Sequence, residues 1–213
     1  MGGNSRFTGC TIILPVSICF IHKELKKMRI VAGEFRSRVI SAVEGNNTRP
    51  TTDKIKEAIF SRIGPYFEGG SMLDLFGGSG NMSLEAISRG MEHALITDVS
   101  YSAISTIRKN VKVLGVENRV TIWKRDYRQV LEQASRSEQT FDLVYLDPPY
   151  KKQQILWILQ YLDAHDMVKE QGDIVCESLK EDEFPEQVGA LHKVKDVTYG
   201  ITRITYYRKE LTE

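Results

Sequence analysis

From Ser71 onward, apolar runs of strand length alternate with amphipathic stretches of helical length. SMLDLF precedes a helical segment from Asn81 to Arg89, and ALITDV precedes one from about Tyr101 to Leu114. RVTIWK precedes Tyr127 to Ala134, and FDLVYL precedes Gln153 to Leu162. GDIVCESL follows, and the pattern closes on two antiparallel-looking segments, Lys193 to Thr198 and Thr202 to Arg208. Apolar strands alternating with helices predict an α/β fold whose seven-stranded, mostly parallel sheet is covered on both faces. Right-handed crossovers make that sheet doubly wound and place its ligand crevice at the carboxyl ends of the strands.

Upstream the pattern differs. RIVAGEFRSRVISAV, Arg29 to Val43, reads as two β segments around a charged turn. The polar loop EGNNTRPTT then leads to a helix from Asp53 to about Ile63, with Thr52 as its N-cap and Ile55, Ile59 and Ile63 along one face. This predicts a small β-hairpin and helix arm over residues 28–66, followed by the main domain, residues 67–213. Residues 1–27 carry no caps or periodicity and read as a poorly specified extension, with Met28 as the functional beginning. Their apolar stretch TIILPVSICFI is too short to span a bilayer and contains Pro15. Lys23, Lys26 and Lys27 follow it, whereas a signal peptide carries its charges in front.

At 213 residues, 41% of them apolar, the chain is long enough for one full core with a small appendage. The formal charge of +1 hides an asymmetry: Met1 to Arg62 holds 11 Lys/Arg against 5 Asp/Glu, which leaves 18 against 23 for the rest. A basic first third before an acidic remainder fits a catalytic core with a polyanion-binding arm. Cys10, Cys19 and Cys176 form no CxxC pair and no metal-type spacing with the histidines. Neither a zinc site nor a disulfide framework is indicated, and a reducing, cytoplasmic setting with no membrane partner is expected.

The first chemical signal is LDLFGGSGN, Leu73 to Asn81, a glycine-rich turn between a strand and a helix. Gly77, Gly78 and Gly80 permit close backbone approach to a ligand. No P-loop lysine follows and the spacing is not that of a dinucleotide fingerprint. Asp98 ends the next strand, 24 residues after Asp74, about where an acid accepts from ribose hydroxyls; Asp126 ends the third. Asp98 and Asp126 each read equally as a cap for the following helix, whereas Asp74, inside the strand-loop junction, fits a cap less well. Three at one sheet edge suggest an adenosine with a charged side chain, held by carboxylates and backbone amides.

DPPY, Asp147 to Tyr150, stands at the end of the fourth strand, beside the first in a doubly wound sheet. Pro148 and Pro149 stiffen the loop and fix the directions of the Asp147 side chain and the Pro148 carbonyl. Two rigid acceptors suit an NH₂ group on a planar ring, and Tyr150 offers a face on which the ring can stack. Such an amine is a poor nucleophile because its lone pair is delocalised. Accepting its hydrogen bonds off the ring plane favours pyramidal nitrogen and aims the lone pair.

DLFGGSG with DPPY resembles the class I S-adenosylmethionine-dependent amino-methyltransferases. MRIVAGEFRSR, TRPTTDKIKEAIF and the terminal YGITRITYY narrow the resemblance to the bacterial 16S rRNA (guanine-N2)-methyltransferase family, from Met28 nearly to the end. The resemblance implies S-adenosyl-L-methionine as cofactor, with Asp74, Phe76, Gly77, Gly78 and Gly80 around its methionine part. It further implies Asp98 on the ribose, Asp126 on the adenine amino group, and Asp147, Pro148, Pro149 and Tyr150 around the target base. Arg36, Arg38, Arg49 and Thr51 would contact 16S rRNA, within a small-subunit assembly particle, and a metal-free monomer is expected. The chain departs from the family with Gly77 where Ala is expected, and with Asn81-Met82-Ser83 where small residues with a Gly are commoner. Adenine N6 or a protein amide as methyl acceptor, and a non-catalytic assembly factor, are the rival readings.

Overall fold

A computed structural model describes residues 27–44, 52–149 and 151–211. Its main sheet contains strands β3 (Ser71–Asp74), β4 (His93–Asp98), β5 (Val120–Lys124), β6 (Phe141–Leu146), β7 (Val168–Leu179), β8 (Gln187–Val188), β9 (Leu191–Tyr199) and β10 (Thr202–Lys209). The order is β5-β4-β3-β6-β7-β10-β9-β8, parallel from β5 to β7 and antiparallel beyond. Seven of these strands are those expected; the eighth, β8, is a two-residue edge strand too short to leave a pattern.

Residues alternate between faces along each strand. Met72, Ile96, Tyr145, Val175 and Ile204 pack on one face with helices α2 (Asn81–Ser88) and α3 (Tyr101–Leu114). Leu73, Leu95, Val144, Ile174 and Tyr207 pack on the other with α4 (Tyr127–Arg136) and α5 (Lys151–Ala164). Among the described residues no helix is long and apolar enough to cross a membrane.

The arm is built as expected and fastened down. Strands β1 (Lys27–Arg29) and β2 (Val39–Ser41) pair antiparallel, and helix α1 (Asp53–Ile63) starts at Thr52, whose side chain accepts from the Ile55 amide. Ile59 and Phe60 of α1 are fully buried with Ile30 and Ile40 in the first core, each contributing roughly 1.5–3 kcal/mol by leaving water. At the hairpin tip, the Glu34 amide donates to Ser88 O (2.7 Å) and the Phe35 amide to Ser88 Oγ (2.9 Å). Gly33 is obligatory there: its φ is +83°, and a Cβ would lie 1.8 Å from Ser88 O.

An ionic joint lies beneath the arm. Glu85 Oε2 accepts from the Val31 amide (2.8 Å) and Lys56 Nζ (3.0 Å); Oε1 accepts from the Ala32 amide and Arg89 Nε, both at 2.9 Å. Lys56 Nζ also donates to Arg29 O (2.6 Å) and Asn81 Oδ1 (2.8 Å), and Arg89 to Glu57 (2.8 Å) and Pro65 O (3.1 Å). The Lys56 and Glu85 side chains are fully buried. Burial lowers the Lys56 pKa from its ordinary value, opposed by Glu85.

Candidate active site

β3, β4 and β5 step one way across the sheet, and β6 and β7 the other, so the strand order reverses between β3 and β6. Asp74 is level with Tyr145 across that boundary. The glycine turn after β3 and D-P-P after β6 therefore share one edge, at the place where open α/β sheets bind ligands.

The glycine turn is held from below. The Gly77 amide donates to Thr97 O (2.8 Å), the Gly80 amide to Gly77 O (2.6 Å), and Thr97 Oγ1 to Leu75 O (3.0 Å). Gly80 caps α2 in the left-handed region, φ 78°, and Gly78 has φ 54°. The departure at Gly77 has a local cause: a Cβ there would lie 2.4 Å from Ile96 Cγ2. The Ile96 methyl occupies the space an alanine side chain would need.

Asp74 is buried, and its Oδ2 accepts from Ser83 Oγ at 2.7 Å. Ser83 thus fixes this carboxyl, and Asn81 accepts from Lys56, so both unusual residues of the turn are engaged. Burial pushes the Asp74 pKa up to about 7, while the bonds from Ser83 and the Phe76 amide pull it down. A cation bound beside it would favour its ionised form. Phe76 flanks the turn, 5.6 Å from the Tyr127 ring.

Asp98 joins two loops, with Oδ2 accepting from the Gly78 amide (3.0 Å) and Oδ1 from the Ser100 amide (2.8 Å). Ser100, not Asp98, caps α3. Asp126 is the N-cap of α4, its Oδ1 accepting from the Arg128 amide at 2.9 Å, so the capping reading holds for this acid while it also stands at the sheet edge. A buried carboxyl, a half-exposed carboxylate and close-approach glycines fit a ligand with an amino group and ribose hydroxyls.

Asp147 is half-buried, Pro148 buried and Pro149 exposed. In α5, Gln154 Oε1 is buried and has no hydrogen-bond partner among the described residues. Tyr150, Arg49 and Thr51 lie outside the described residues. Arg36 and Arg38 are exposed at the hairpin tip, where the neighbouring Glu34 and Phe35 amides bond Ser88 at the C-terminal end of α2. That is the amino edge of the sheet. The acids and D-P-P are thus brought together, and these two arginines stand at the opposite end. Near the crevice instead are Met28, whose sulfur meets Ser79 Oγ at 3.9 Å, and Ser41, whose carbonyl accepts from Asn110 as does that of Ser79, both at 2.9 Å.

Sequence reasoning missed Ser83 and Thr97 as supports of the turn, and it missed Glu177. This last residue is 7% exposed and accepts from Tyr145 Oη at 2.7 Å. The signal was present, since Glu177 is an acid near the end of an apolar run, like Asp74, Asp98 and Asp147.

The family Conserved hypothetical protein 95 matches residues 28–208. The chain belongs to this family. It is 43% identical over 182 residues to the Bacillus subtilis (strain 168) protein named "Putative rRNA methyltransferase YlbH", covering 85% of this chain and 99% of that one. It is 26% identical over 164 residues to "Ribosomal RNA small subunit methyltransferase D" of Escherichia coli (strain K12), covering 77% and 81%. Among solved structures, a conserved hypothetical protein of Streptococcus pyogenes superposes with TM-score 0.68 at 38% identity, over 73% of this chain and 95% of that one. "Putative methyltransferase yhhF" of Escherichia coli superposes with TM-score 0.77 at 24% identity, over 87% and 99%, which establishes the shared fold.

Proposed function

We propose that this protein is a methyltransferase that uses S-adenosyl-L-methionine to methylate N2 of a specific guanine in 16S rRNA, acting on the small ribosomal subunit or its assembly particle. The carrying observation is D-P-P at the end of β6, beside the glycine turn at the reversal of strand order. The names of the relatives support rRNA as the substrate. The cofactor supplies a methyl group on a positively charged sulfur. Asp74 and the Phe76 to Gly80 backbone are assigned to its methionine part, Asp98 to the ribose and Asp126 to the adenine.

The protein's task is positioning. Asp147 and the Pro148 carbonyl accept the two N–H bonds of the target amine, and Tyr150 stacks on the base. Hydrogen bonds drawn off the ring plane recover lone-pair density on nitrogen and aim it for in-line attack. Mass mapping of modified guanines in 16S rRNA from cells with and without the gene tests the whole reading. An unchanged guanine map would defeat it.

Asp98→Ala is expected to weaken S-adenosylmethionine binding by about 10- to 100-fold, the loss of a charge-assisted hydrogen bond. Calorimetry measures it, and unchanged affinity would remove the ribose assignment.

Residues 28–66 are assigned to RNA and residues 67–213 to methyl transfer. Extracting a stacked guanine costs a few kcal/mol, which phosphate contacts at the arm help to offset. The triple variant Arg36→Ala, Arg38→Ala, Arg49→Ala is expected to weaken RNA binding and flatten its salt dependence. Each lost phosphate contact should reduce the slope of log affinity against log salt by roughly 0.7–0.9. Cofactor affinity should not change, because Arg36 and Arg38 stand at the far end of the sheet. Filter binding across a salt series decides it, and a parental slope would sink the arm assignment.

A further inference from the structure

We infer that Glu177 reads the N1–H of the target guanine, making it the residue that selects guanine over bases carrying an acceptor at that ring position. The inference rests on the guanine-N2 reading and adds the substrate-recognition group to that same site.

Placement carries the argument. Leu146 is level with Cys176 in the parallel β6–β7 pair, so the next residues, Asp147 and Glu177, continue side by side on strands about 4.8 Å apart. Tyr145 and Val175 belong to the core on the α2 and arm side, and the Tyr145 hydroxyl reaches Glu177 on that side. Continuing the alternation places Asp147 there as well. Asp74, Tyr145 and Val175 form one level across β3, β6 and β7. Asp147 and Glu177 then form the next level toward the carboxyl edge. The cofactor acids stand on the β3–β4 side of Asp147, and Glu177 stands on its other side.

Guanine fits this order of groups. Its N1–H and N2–H₂ are adjacent, nearly parallel donors on one edge, so a base with N2 at Asp147 presents N1–H to a neighbouring carboxylate. Adenine beside N6, and cytosine beside N4, present a ring acceptor instead, which a carboxylate repels. A buried site built to accept a hydrogen bond rejects an analogue that offers an acceptor in place of the donor, because two acceptors then face each other away from water. Tyr145 is a positioning residue: its hydroxyl bond to Oε2 fixes the rotamer of Glu177.

The test compares 16S rRNA carrying guanine with the same RNA carrying 2-aminopurine at the methylated position, as free RNA or as particle, whichever the parent modifies. 2-Aminopurine keeps the amine and replaces N1–H with an acceptor. The parent is expected to favour guanine by about 10- to 100-fold in kcat/KM. Glu177→Gln, whose amide can donate to that acceptor, should narrow the ratio to within a few-fold while cofactor affinity and melting temperature hold. Tyr145→Phe should narrow it partially. A parental ratio near one overturns the inference without any variant, as does a folded Glu177→Gln enzyme with the parental ratio. If product mapping finds the parental methyl group on something other than guanine N2, the underlying reading has failed as well. A guanine-N2 product with no discrimination removes the role of Glu177 alone.

Discussion

Asp147→Ala is expected to lower methyl transfer by on the order of 10²–10³-fold while leaving S-adenosylmethionine affinity within a few-fold of the parent. The reason is the division of labour along the sheet edge. The groups assigned to the cofactor lie on β3, β4, β5 and their loops, whereas Asp147 follows β6 and is assigned to the amine alone. Losing it returns the amine to its planar, weakly nucleophilic form in a site that is otherwise intact. Single-turnover rates with calorimetry of the cofactor separate the two quantities. An equal fall in both would place Asp147 in the cofactor site, or in the fold itself. Asp147→Asn refines the result, since an amide oxygen still accepts a hydrogen bond but cannot take a proton at neutral pH. Substantial activity in that variant would assign Asp147 to orientation; near-complete loss would assign it to proton transfer.

The sheet was legible because parallel strands buried on both faces must be apolar throughout, and those runs stand out between amphipathic helices. Phe141–Leu146 was delimited to the residue, and the helix Asp53–Ile63 was found with its start and its cap Thr52 exact and its end approximate. The first half of β7 was not legible. Lys169, Glu170 and Gln171 interrupt the apolar pattern where the β6–β7 register shifts, and Gln171 sits at φ 62°. A strand irregularity of that kind spoils the periodicity on which recognition depends.

The site was legible in part for a related reason. Acids ending apolar runs attract attention, which singled out Asp74, Asp98 and Asp147, while the donors that hold them, the Ser83 hydroxyl on Asp74 and the Gly78 and Ser100 amides on Asp98, leave no mark in residue type. Whether Asp126 caps a helix or awaits a ligand depends on backbone geometry that residue type does not encode. Glu177 went unremarked because two residues, Ser178 and Leu179, follow it before the strand ends. α2 misled most. Glu85 and Arg89, four apart, look like a solvated pair on a helix surface, yet every residue of α2 is buried because the arm lies over it. Contacts between residues 53 or 54 positions apart leave no periodic trace.

That buried joint sets the second large expectation: Glu85→Ala should destabilise the protein by about 3–5 kcal/mol. The substitution strands two buried cations, Lys56 and Arg89, and removes the acceptors of the Val31 and Ala32 amides. Glu57 does not compensate, being half-exposed and bonded to Arg89 alone of the two. A surface pair would contribute under about 1 kcal/mol, so the measurement distinguishes the cases cleanly. For a chain of this length the loss corresponds to a fall in melting temperature on the order of 6–20 °C. Glu85→Gln should cost less, because its amide oxygen still accepts a hydrogen bond while the charge is gone. The damage should also be directional. Val31, Ala32 and Lys56 belong to the arm, and Glu85 to the helix that follows the glycine turn, so amide exchange in β1 and α1 should accelerate before exchange in β6 or β7. A Glu85→Ala protein that melts within about 2 °C of the parent, with its arm equally protected, would show that the arm is held by its apolar contacts alone.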